Sequence, residues 1–215
     1  MASLVRAERA LVTRRRMVTA AYRVFCAKGY LGTTMAAVAA EADVAVQTLY
    51  YTFHTKAELL GEALGAAVVG FDSWFEPPVE PIPMRDLPRM LPWWGDFESA
   101  ASSTAALKVF IRNGVDVLER VGPLLAAMYG SAGDPEATAV LALGEERRVG
   151  AYRAAIRAIA DKVGGLRPGV TTSEATDILV VVFSAEMYQA LASGRGWSRA
   201  RCERFLYRVL VGQLL

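Results

Sequence analysis

Residues 17–60 read MVTAAYRVFCAKGYLGTTMAAVAAEADVAVQTLYYTFHTKAELL, and this stretch decides the fold of the first part of the chain. Apolar residues recur at helical spacing from Met17 to Phe25, which places one continuous apolar stripe on a helix. Gly29 follows, and glycine is the residue that most easily takes the left-handed conformation that closes a helix. The stripe and its stop signal predict a first helix that ends near Gly29.

Further helix starts follow at short intervals. Thr33 or Thr34 can cap a second short helix, whose apolar residues face the same core as the first. After a turn at 42–44, a third short helix holds residues 47–51. A fourth helix begins at the T-x-x-E capping box of residues 55–58. Two short helices separated by a three-residue turn predict a helix-turn-helix.

The third helix can be oriented from its sequence alone. Leu49 and Phe53 lie four residues apart and share one face, which Ala45 extends. The opposite face and its flanks carry polar and aromatic residues: Gln47, Thr48, Tyr50 and Tyr51. Glutamine can pair with adenine in the major groove, and hydroxyl groups bind backbone phosphates. The face therefore suits DNA, and the alternative is an ordinary amphipathic helix whose tyrosines pack elsewhere.

Composition limits the classes of protein that the chain can belong to. Of 215 residues, 53% are hydrophobic and the mean hydropathy is +0.26, which indicates an oligomer interface, an apolar ligand cavity, or both. The longest stretch without a charged residue, Val121 to Gly133, has 13 residues, too few for a membrane span. No apolar signal core begins the chain, so we expect a cytoplasmic protein. Cys26 and Cys202 have no metal or redox spacing, so we expect reduced thiols, no metal site and no cofactor.

Charge is unevenly distributed along the chain. Residues 1–60 carry eight Lys and Arg against four acidic residues, whereas residues 61–215 carry a small acidic excess. The basic excess coincides with the helix-turn-helix, as phosphate binding requires. The run Arg14-Arg15-Arg16 is either a solvated charge cluster or a contact to the DNA backbone, and the motif beside it favours the contact.

The rest of the chain reads as helical, and no segment alternates as a strand does, so we predict an all-α fold. Helices are expected over 56–71, 99–119, 123–129, 135–163, 171–192 and from 199 onward. Residues 74–97 hold six of the nine prolines together with several aromatic residues, so no continuous helix fits there. This segment is either a packed connecting loop or a mobile wall of a ligand cavity, with a short helix possible near 84–94.

The helix predicted over 171–192 is apolar on more than one face, so it must be covered from two sides. One side is the chain's own core. The simplest cover for the other is a second copy of the chain, in which the last two helices of each subunit form a four-helix interface. The residues assigned to that interface are Ile178, Val182, Ala185, Tyr188, Phe205, Leu206, Val209 and Leu210.

A family resemblance can be stated on these residues. Residues 17–60 strongly resemble the DNA-binding domain of tetracycline-repressor (TetR) type transcriptional regulators, most clearly in Lys28-Gly29-Tyr30, Thr33-Thr34-Met35, Thr48-Leu49-Tyr50-Tyr51 and Lys56-Ala57-Glu58-Leu59-Leu60. The resemblance implies a helix-turn-helix domain over 1–60 and a larger helical domain over 61–215 for effector binding and dimerisation. It also implies a homodimer that binds an inverted-repeat operator in double-stranded DNA and releases it when a small apolar effector binds.

The resemblance assigns roles to individual positions. Thr34, Thr48, Tyr50, Tyr51 and Lys56 would contact phosphates, and Gln47, with Val46 beside it, would face the bases. Independently of the resemblance, the effector-site candidates are apolar or amphipathic residues of the larger domain, and the alternative for each is a place in the core: Trp93, Trp94, Phe110, Met128, Tyr129 and Tyr152. Arg112 and Asp116, four residues apart, are expected to pair at the surface.

Two positions depart from the family pattern. Asp43 stands where the family usually has glycine in a left-handed turn, and Ala45 replaces a serine that would cap the third helix. They motivate the alternative of a helical interaction protein that has lost DNA binding. An enzyme is not expected, because the one histidine, His54, lies inside the DNA-binding unit and leaves no Ser-His-Asp or Cys-His arrangement.

Overall fold

The computed structural model describes residues 2–74, 87–131 and 133–215. These residues form α-helices and no β-strand, apart from one isolated bridge between Ser102 and Val163, which confirms the all-α prediction. In chain order the helices are α1 (Ala2–Gly32), α2 (Met35–Glu41), α3 (Val46–Phe53), α4 (Lys56–Val69), α5 (Trp94–Ser99), α6 (Ser103–Met128), α7 (Pro135–Ala160), α8 (Thr172–Val182), α9 (Ala185–Arg195) and α10 (Arg199–Leu214). Two short 3₁₀ turns span Leu87–Met90 and Tyr129–Ser131.

The chain divides into two compact units. The first consists of Met1–Pro81 with Pro123–Gly144, and the second consists of Ile82–Gly122 with Glu145–Leu215. The first unit therefore holds α1 to α4 together with the end of α6 and the start of α7. The boundary at residue 60 between a DNA-binding and an effector-binding domain remains a prediction about roles along the chain.

The helix α1 begins at Ala2, well before the apolar stripe that predicted it. Its helical geometry breaks at Gly29, where φ is 68° and ψ is 176°, and one further turn reaches Gly32. The positive φ favours glycine, and a Cβ atom there would lie 3.0 Å from the carbonyl oxygen of Ala127. The predicted stop at Gly29 is thus confirmed, and both backbone conformation and close packing require glycine at this position.

Side-chain caps define where α2 and α4 begin. Thr34 Oγ accepts a hydrogen bond from the N–H of Ala37 at 3.1 Å, so Thr34 is the cap of α2. Thr55 Oγ accepts from the N–H of Glu58 at 3.0 Å at the start of α4. Each cap satisfies an N–H that the helix leaves unpaired and contributes about 1 kcal/mol. These caps confirm the predicted order of short helices.

The core of the first unit holds α3 in place. Phe25, Tyr30 and Phe53 are almost fully buried, and they pack in one cluster with Leu124 and Met128 from the end of α6. Burial of a large apolar side chain contributes about 1.5–3 kcal/mol relative to exposure. Because α3 is short, this core rather than intrinsic helix propensity maintains it.

The helix α6 is longer than predicted, because it continues through Pro123 as one element. We expected a break between residues 119 and 123, since proline lacks an N–H group and costs about 3 kcal/mol inside a helix. Leu118 and Val121 before the proline and Leu124 after it are buried. Packing on both sides therefore outweighs the lost hydrogen bond.

The helix predicted over 171–192 is two helices. It starts at the predicted cap, where Thr171 Oγ accepts from the N–H of Glu174, but α8 ends at Val182. Phe183 has φ −102° and ψ 63°, and Ser184 is extended and caps α9 through a hydrogen bond from the N–H of Met187. The signal for this break was a serine cap inside an apolar run, which the helical spacing concealed.

Half of the proline-rich segment lies outside the described residues. The predictions for residues 75–86 therefore concern a part of the chain that the structure does not describe. After it come the turn Leu87–Met90 and the short helix α5, in which Trp94 and Phe97 are buried. For the residues after 86, the burial of these two side chains agrees with the predicted packed connecting loop.

Within the described residues, Thr172–Arg195 is the stretch that could cross a membrane by length and composition. In the structure it is divided into α8 and α9, each of 11 residues, whereas a spanning helix needs about 20. The apolar composition of this stretch is accordingly weak evidence for a membrane segment.

Candidate functional site

The exposed face of α3 carries the residues that were predicted to bind DNA. Leu49 and Phe53 are buried on the inner face, as the four-residue spacing predicted. Tyr51 is 87% exposed and Tyr50 is 49% exposed. The outer face presents an amide, a hydroxyl and two phenol groups, from Gln47, Thr48, Tyr50 and Tyr51. All of these groups can donate hydrogen bonds to a base edge or a phosphate.

The first residues of α3 lie differently from the prediction. Ala45, expected on the core face, is exposed, because it is the extended residue that precedes the helix. Val46, expected beside the bases, is half-buried and packs against the core of the first unit. Gln47 is therefore the first exposed residue of α3.

The turn before α3 accommodates both departures from the family pattern. Asp43 has a φ of 51°, so it adopts the left-handed conformation that glycine usually supplies. Ala45 offers no oxygen, and α3 lacks a side-chain cap among the described residues. The missing cap removes about 1 kcal/mol of stabilisation. His54, at the other end of α3, is exposed, and its Nδ1 lies 3.3 Å from Glu58 Oε2.

The two residues outside α3 that were predicted to contact phosphates, Thr34 and Lys56, differ in their hydrogen bonds within the protein. Thr34 is exposed, and because its oxygen accepts from Ala37, its hydroxyl proton can still be donated to a phosphate. Lys56 Nζ instead donates to the carbonyl oxygens of Tyr30 at 2.9 Å and Thr33 at 3.2 Å, and lies 4.0 Å above the Tyr30 ring. Lys56 thus holds the loop that leads into α2.

Tyr30 connects that loop to the start of α7. Its phenol donates a hydrogen bond to Glu136 Oε2 at 3.1 Å. Burial, followed by the bond to Glu136, raises the pKa of Tyr30 above its usual value. The phenol therefore remains a proton donor at all physiological pH values, and the loop stays joined to α7.

The three consecutive arginines, Arg14 to Arg16, each have a different partner. Arg14 forms an ion pair with Glu62, with Nε 3.1 Å from Oε2, and its guanidinium lies 4.9 Å from the Phe53 ring centre. Arg15 donates to the main-chain carbonyl of residue 74 at 3.1 Å. Arg16 is exposed and donates to the carbonyl oxygen of Asp43 at 3.2 Å. The predicted DNA contact is therefore compatible with the position of Arg16 and not with the internal ion pair of Arg14.

Aromatic residues of the second unit form one continuous group, here termed the aromatic cluster. Neighbouring ring centres lie 4.6–6.5 Å apart, in tilted or edge-to-face arrangements. The cluster consists of Trp93, Trp94, Phe97, Phe110, Tyr152 and Phe183. It brings together four of the six predicted effector-site residues. Sequence reasoning missed Phe97 and Phe183, although both stand in aromatic or apolar runs.

The polar groups of the aromatic cluster are few. Tyr152 donates its hydroxyl proton to the carbonyl oxygen of Phe183 at 2.8 Å, and burial raises the pKa of Tyr152 to about 12. Trp94 is 5% exposed, and its indole Nε1 has no hydrogen-bond partner among the described residues. A buried donor without an acceptor costs about 1–3 kcal/mol. Among the described residues, the Nε1–H group of Trp94 is therefore a buried hydrogen-bond donor without an acceptor, in an apolar setting.

Gly114 allows Phe183 to enter the cluster. A Cβ atom on Gly114 would lie 2.6 Å from a carbon of the Phe183 ring, which is closer than packed atoms approach. Sequence reasoning did not single out this glycine, because it lies inside a regular helix and gives no turn signal.

The other two effector-site candidates lie in the first unit. Met128 is 1% exposed and belongs to the core that supports α1 to α4. Tyr129 is 65% exposed and follows the end of α6. Neither residue therefore belongs to the aromatic cluster: Met128 packs in the core of the first unit, and Tyr129 lies at the surface.

The predicted dimer residues fall into two groups by burial. Ala185, Tyr188, Leu206 and Leu210 are buried within the chain itself, so their side chains belong to its own core. Ile178, Val182, Phe205 and Val209 are partly exposed and remain accessible to a partner. Val181, which the prediction omitted, is 66% exposed on α8.

An ion-pair network joins α6 to α10. Arg199 forms ion pairs with Asp116, Glu119 and Glu203, and donates to the carbonyl oxygen of Arg112. The predicted pairing of the Arg112 side chain with Asp116 is thus wrong, because Asp116 binds an arginine from a distant part of the sequence. Spacing along one helix cannot reveal such a partner.

A family comparison matches the part of the chain that contains the helix-turn-helix. Residues 18–63 match the sequence model of the bacterial regulatory proteins of the tetR family. No curated protein sequence matches the chain.

Solved structures share the fold along nearly the whole chain. One of them is SmeT in complex with triclosan; SmeT is the repressor of the Stenotrophomonas maltophilia multidrug efflux pump SmeDEF. Its sequence is 19% identical to this chain, the TM-score is 0.68, and the alignment covers 95% of this chain and 92% of SmeT. Bacillus subtilis FadR in complex with stearoyl-CoA is 13% identical with a TM-score of 0.67, covering 91% and 96%. NalD, the secondary repressor of the MexAB-OprM multidrug efflux pump in Pseudomonas aeruginosa, is 17% identical with a TM-score of 0.62, covering 94% and 95%. At these identities the likeness establishes the fold.

Proposed function

Since residues 18–63 make this chain a member of the tetR family of bacterial regulatory proteins, we propose that it is a ligand-responsive DNA-binding regulator of transcription and not an enzyme. The observation that carries the proposal is the polar outer face of α3, which opposes a buried Leu49 and Phe53. In this proposal Gln47 reads a base, and Thr34, Thr48, Tyr50 and Tyr51 bind phosphates. The protein acts in the cytoplasm as a repressor.

The proposal includes a homodimer that binds an inverted-repeat operator. Two reading heads must meet half-sites about 34–36 Å apart, or a multiple of that distance. The partly exposed apolar side chains Ile178, Val181 and Val182 on α8, with Phe205 and Val209 on α10, support an interface between two copies. An effector that alters the separation of the heads would release the operator.

A selection experiment tests DNA reading. Duplexes of random sequence are incubated with the protein, and the retained fragments are sequenced to obtain the operator. The Gln47→Ala variant is expected to lose discrimination at one base position of each half-site by about 5- to 150-fold, since a bidentate base contact is worth about 1–3 kcal/mol. The matched control is Gln213→Ala, an exposed glutamine at the end of α10.

Two results would contradict this reading. An unchanged base preference in Gln47→Ala would remove Gln47 from the reading face. If the unmodified protein retained no duplex even at low salt, the chain would be a helical interaction protein that has lost DNA binding. The left-handed conformation of Asp43 supports DNA binding, because the turn keeps the geometry that glycine would supply.

We further propose that the aromatic cluster receives the effector. Its rings favour an apolar or aromatic molecule, and the unused Trp94 N–H favours one that also carries a hydrogen-bond acceptor. The triclosan bound to SmeT and the stearoyl-CoA bound to FadR support a largely apolar ligand.

The Trp94→Phe variant tests the donor. Triclosan serves as an aromatic probe with acceptor oxygens, and naphthalene serves as a probe without an acceptor. Trp94→Phe is expected to weaken triclosan binding about fivefold, the effect of one hydrogen bond of about 1 kcal/mol, and to leave naphthalene binding unchanged. Calorimetric titration measures both, and Trp197→Phe is the control. Equal losses for both probes, or binding of neither, would contradict the proposed site.

A further inference from the structure

Three arginines on α1 share one face outside the predicted reading helix. Arg9, Arg16 and Arg23 are spaced seven residues apart, which is close to two helical turns, so their side chains form a line along the helix. All three are exposed. We name this line the α1 arginine stripe. Seven-residue spacing of one residue type on an exposed face is not required by the core, which α1 contacts on its other side.

The α1 arginine stripe lies beside the turn that leads into α3. Arg16 donates to the carbonyl oxygen of Asp43 in that turn at 3.2 Å. Arg23 lies 3.5 Å from Glu41, the last residue of α2. A shallow cleft of about 320 Å³ runs along this side of α1, and Arg16, Arg23, Thr19 and Glu41 are among its lining residues. The stripe therefore lies next to the end of α2 and the turn from which α3 begins.

The interactions of the α1 arginine stripe are weak and replaceable. The Arg23 and Glu41 side chains are 68% and 43% exposed, and an ion pair so exposed contributes at most about 1 kcal/mol. Arg14, by contrast, is held by an ion pair with Glu62 in which both side chains are less than one-fifth exposed. Guanidinium groups with weak partners can turn to a stronger acceptor, and phosphate is the acceptor that the arginine fork fits best.

We propose that the α1 arginine stripe binds backbone phosphates of the DNA outside the base pairs that α3 reads. The proposal rests on the proposed function and adds a second line of phosphate binding to it. From Arg9 to Arg23 the stripe is about 21 Å long, comparable with the rise of about six base-pair steps along the duplex axis. The stripe carries no base-reading group, so it strengthens binding to every sequence alike.

The test compares two triple variants with equal changes in charge. Arg9, Arg16 and Arg23 are replaced by serine in one, and the exposed α7 arginines Arg147, Arg153 and Arg157 are replaced by serine in the other. Both bind a random duplex of about 40 base pairs, long enough for two half-sites with flanks, at a series of salt concentrations. The stripe variant is expected to bind about 10- to 100-fold more weakly, and its log–log salt slope should fall by about 0.9 for each phosphate that it no longer binds.

A second variant is expected to bind DNA more tightly than the parent. Glu41→Gln removes the carboxylate that faces Arg23, so it is expected to tighten DNA binding severalfold and to steepen the salt slope. The same change at exposed Glu146 on α7 should alter neither quantity. Thermal unfolding of every variant should match the parent, because exposed substitutions change stability by about 0.5 kcal/mol or less.

The outcomes separate this inference from the function on which it rests. If the parent binds the duplex and the stripe variant keeps its affinity and slope, the stripe does not bind phosphate. Equal losses in both triple variants would indicate net charge rather than the stripe, and would also overturn the proposal. If the parent binds no duplex at any salt concentration, the proposed function fails as well.

Discussion

Replacing Phe53 with alanine is expected to lower the free energy of unfolding by about 3–5 kcal/mol and to abolish DNA binding. The Phe53 ring is 1% exposed in the core of the first unit, and the guanidinium of Arg14 lies 4.9 Å from its centre. Its removal leaves a cavity directly beneath α3, a helix of eight residues that cannot persist without its packing. Urea unfolding measures the first effect, and a mobility-shift assay measures the second.

The matched variant is Tyr51→Ala, two residues away on the same helix. Because Tyr51 is 87% exposed, its truncation should change stability by about 0.5 kcal/mol or less, while DNA binding still weakens. The pair separates the supporting face of α3 from its DNA-binding face. Parent-like stability of Phe53→Ala would show that α3 does not depend on this core, and loss of stability in Tyr51→Ala would place its ring inside the protein.

Arg14→Ala is expected to destabilise the protein by about 2–3 kcal/mol. It leaves the carboxylate of Glu62, 14% exposed, without its cation, and such uncompensated charges cost about 3–5 kcal/mol when fully buried. The residual exposure reduces that figure. Thermal unfolding should occur about 5–10 °C below that of the parent, given a chain of this size.

The double variant Arg14→Met with Glu62→Leu tests the cause. Since apolar residues of similar volume replace both charges, its stability should return close to that of the parent. Arg16→Ala, an exposed neighbour in the same run, should lie within about 0.5 kcal/mol of the parent. An equal loss for Arg16→Ala and Arg14→Ala would refute the distinct roles assigned to these two arginines.

Local signals predicted helices α2 to α4 well. The caps at Thr34 and Thr55, the turn through Asp43 and the inner face of Leu49 and Phe53 all depend on residues within four positions of each other. Their physical causes, a side-chain oxygen near an unpaired N–H or a four-residue repeat, are visible in the sequence itself. Prediction succeeded where short-range geometry decides the structure.

The features that the sequence did not predict depend on packing and ion pairs between residues far apart in the chain. Pro123 stays inside α6 because buried neighbours offset its missing donor, and Phe183 ends α8 while its carbonyl accepts from Tyr152. The partners of Arg14 and Arg199 come from residues 48 and 83 positions away. No periodicity within a helix specifies such partners, so charge runs and apolar runs remain ambiguous until the chain is folded.

The aromatic cluster also equips the protein with an optical reporter. Two of the four tryptophans, Trp93 and Trp94, have ring centres 6.0 Å apart, close enough for their electronic transitions to couple. Helices α2 to α4 contain no tryptophan, so a titrated duplex can touch its binding surface without touching a chromophore of this kind. Tryptophan fluorescence excited beyond the absorption of tyrosine and DNA separates this signal from the duplex. A change on adding DNA that persists in Trp74→Phe and disappears when Trp93 and Trp94 are both replaced by phenylalanine would report that DNA binding alters the aromatic cluster.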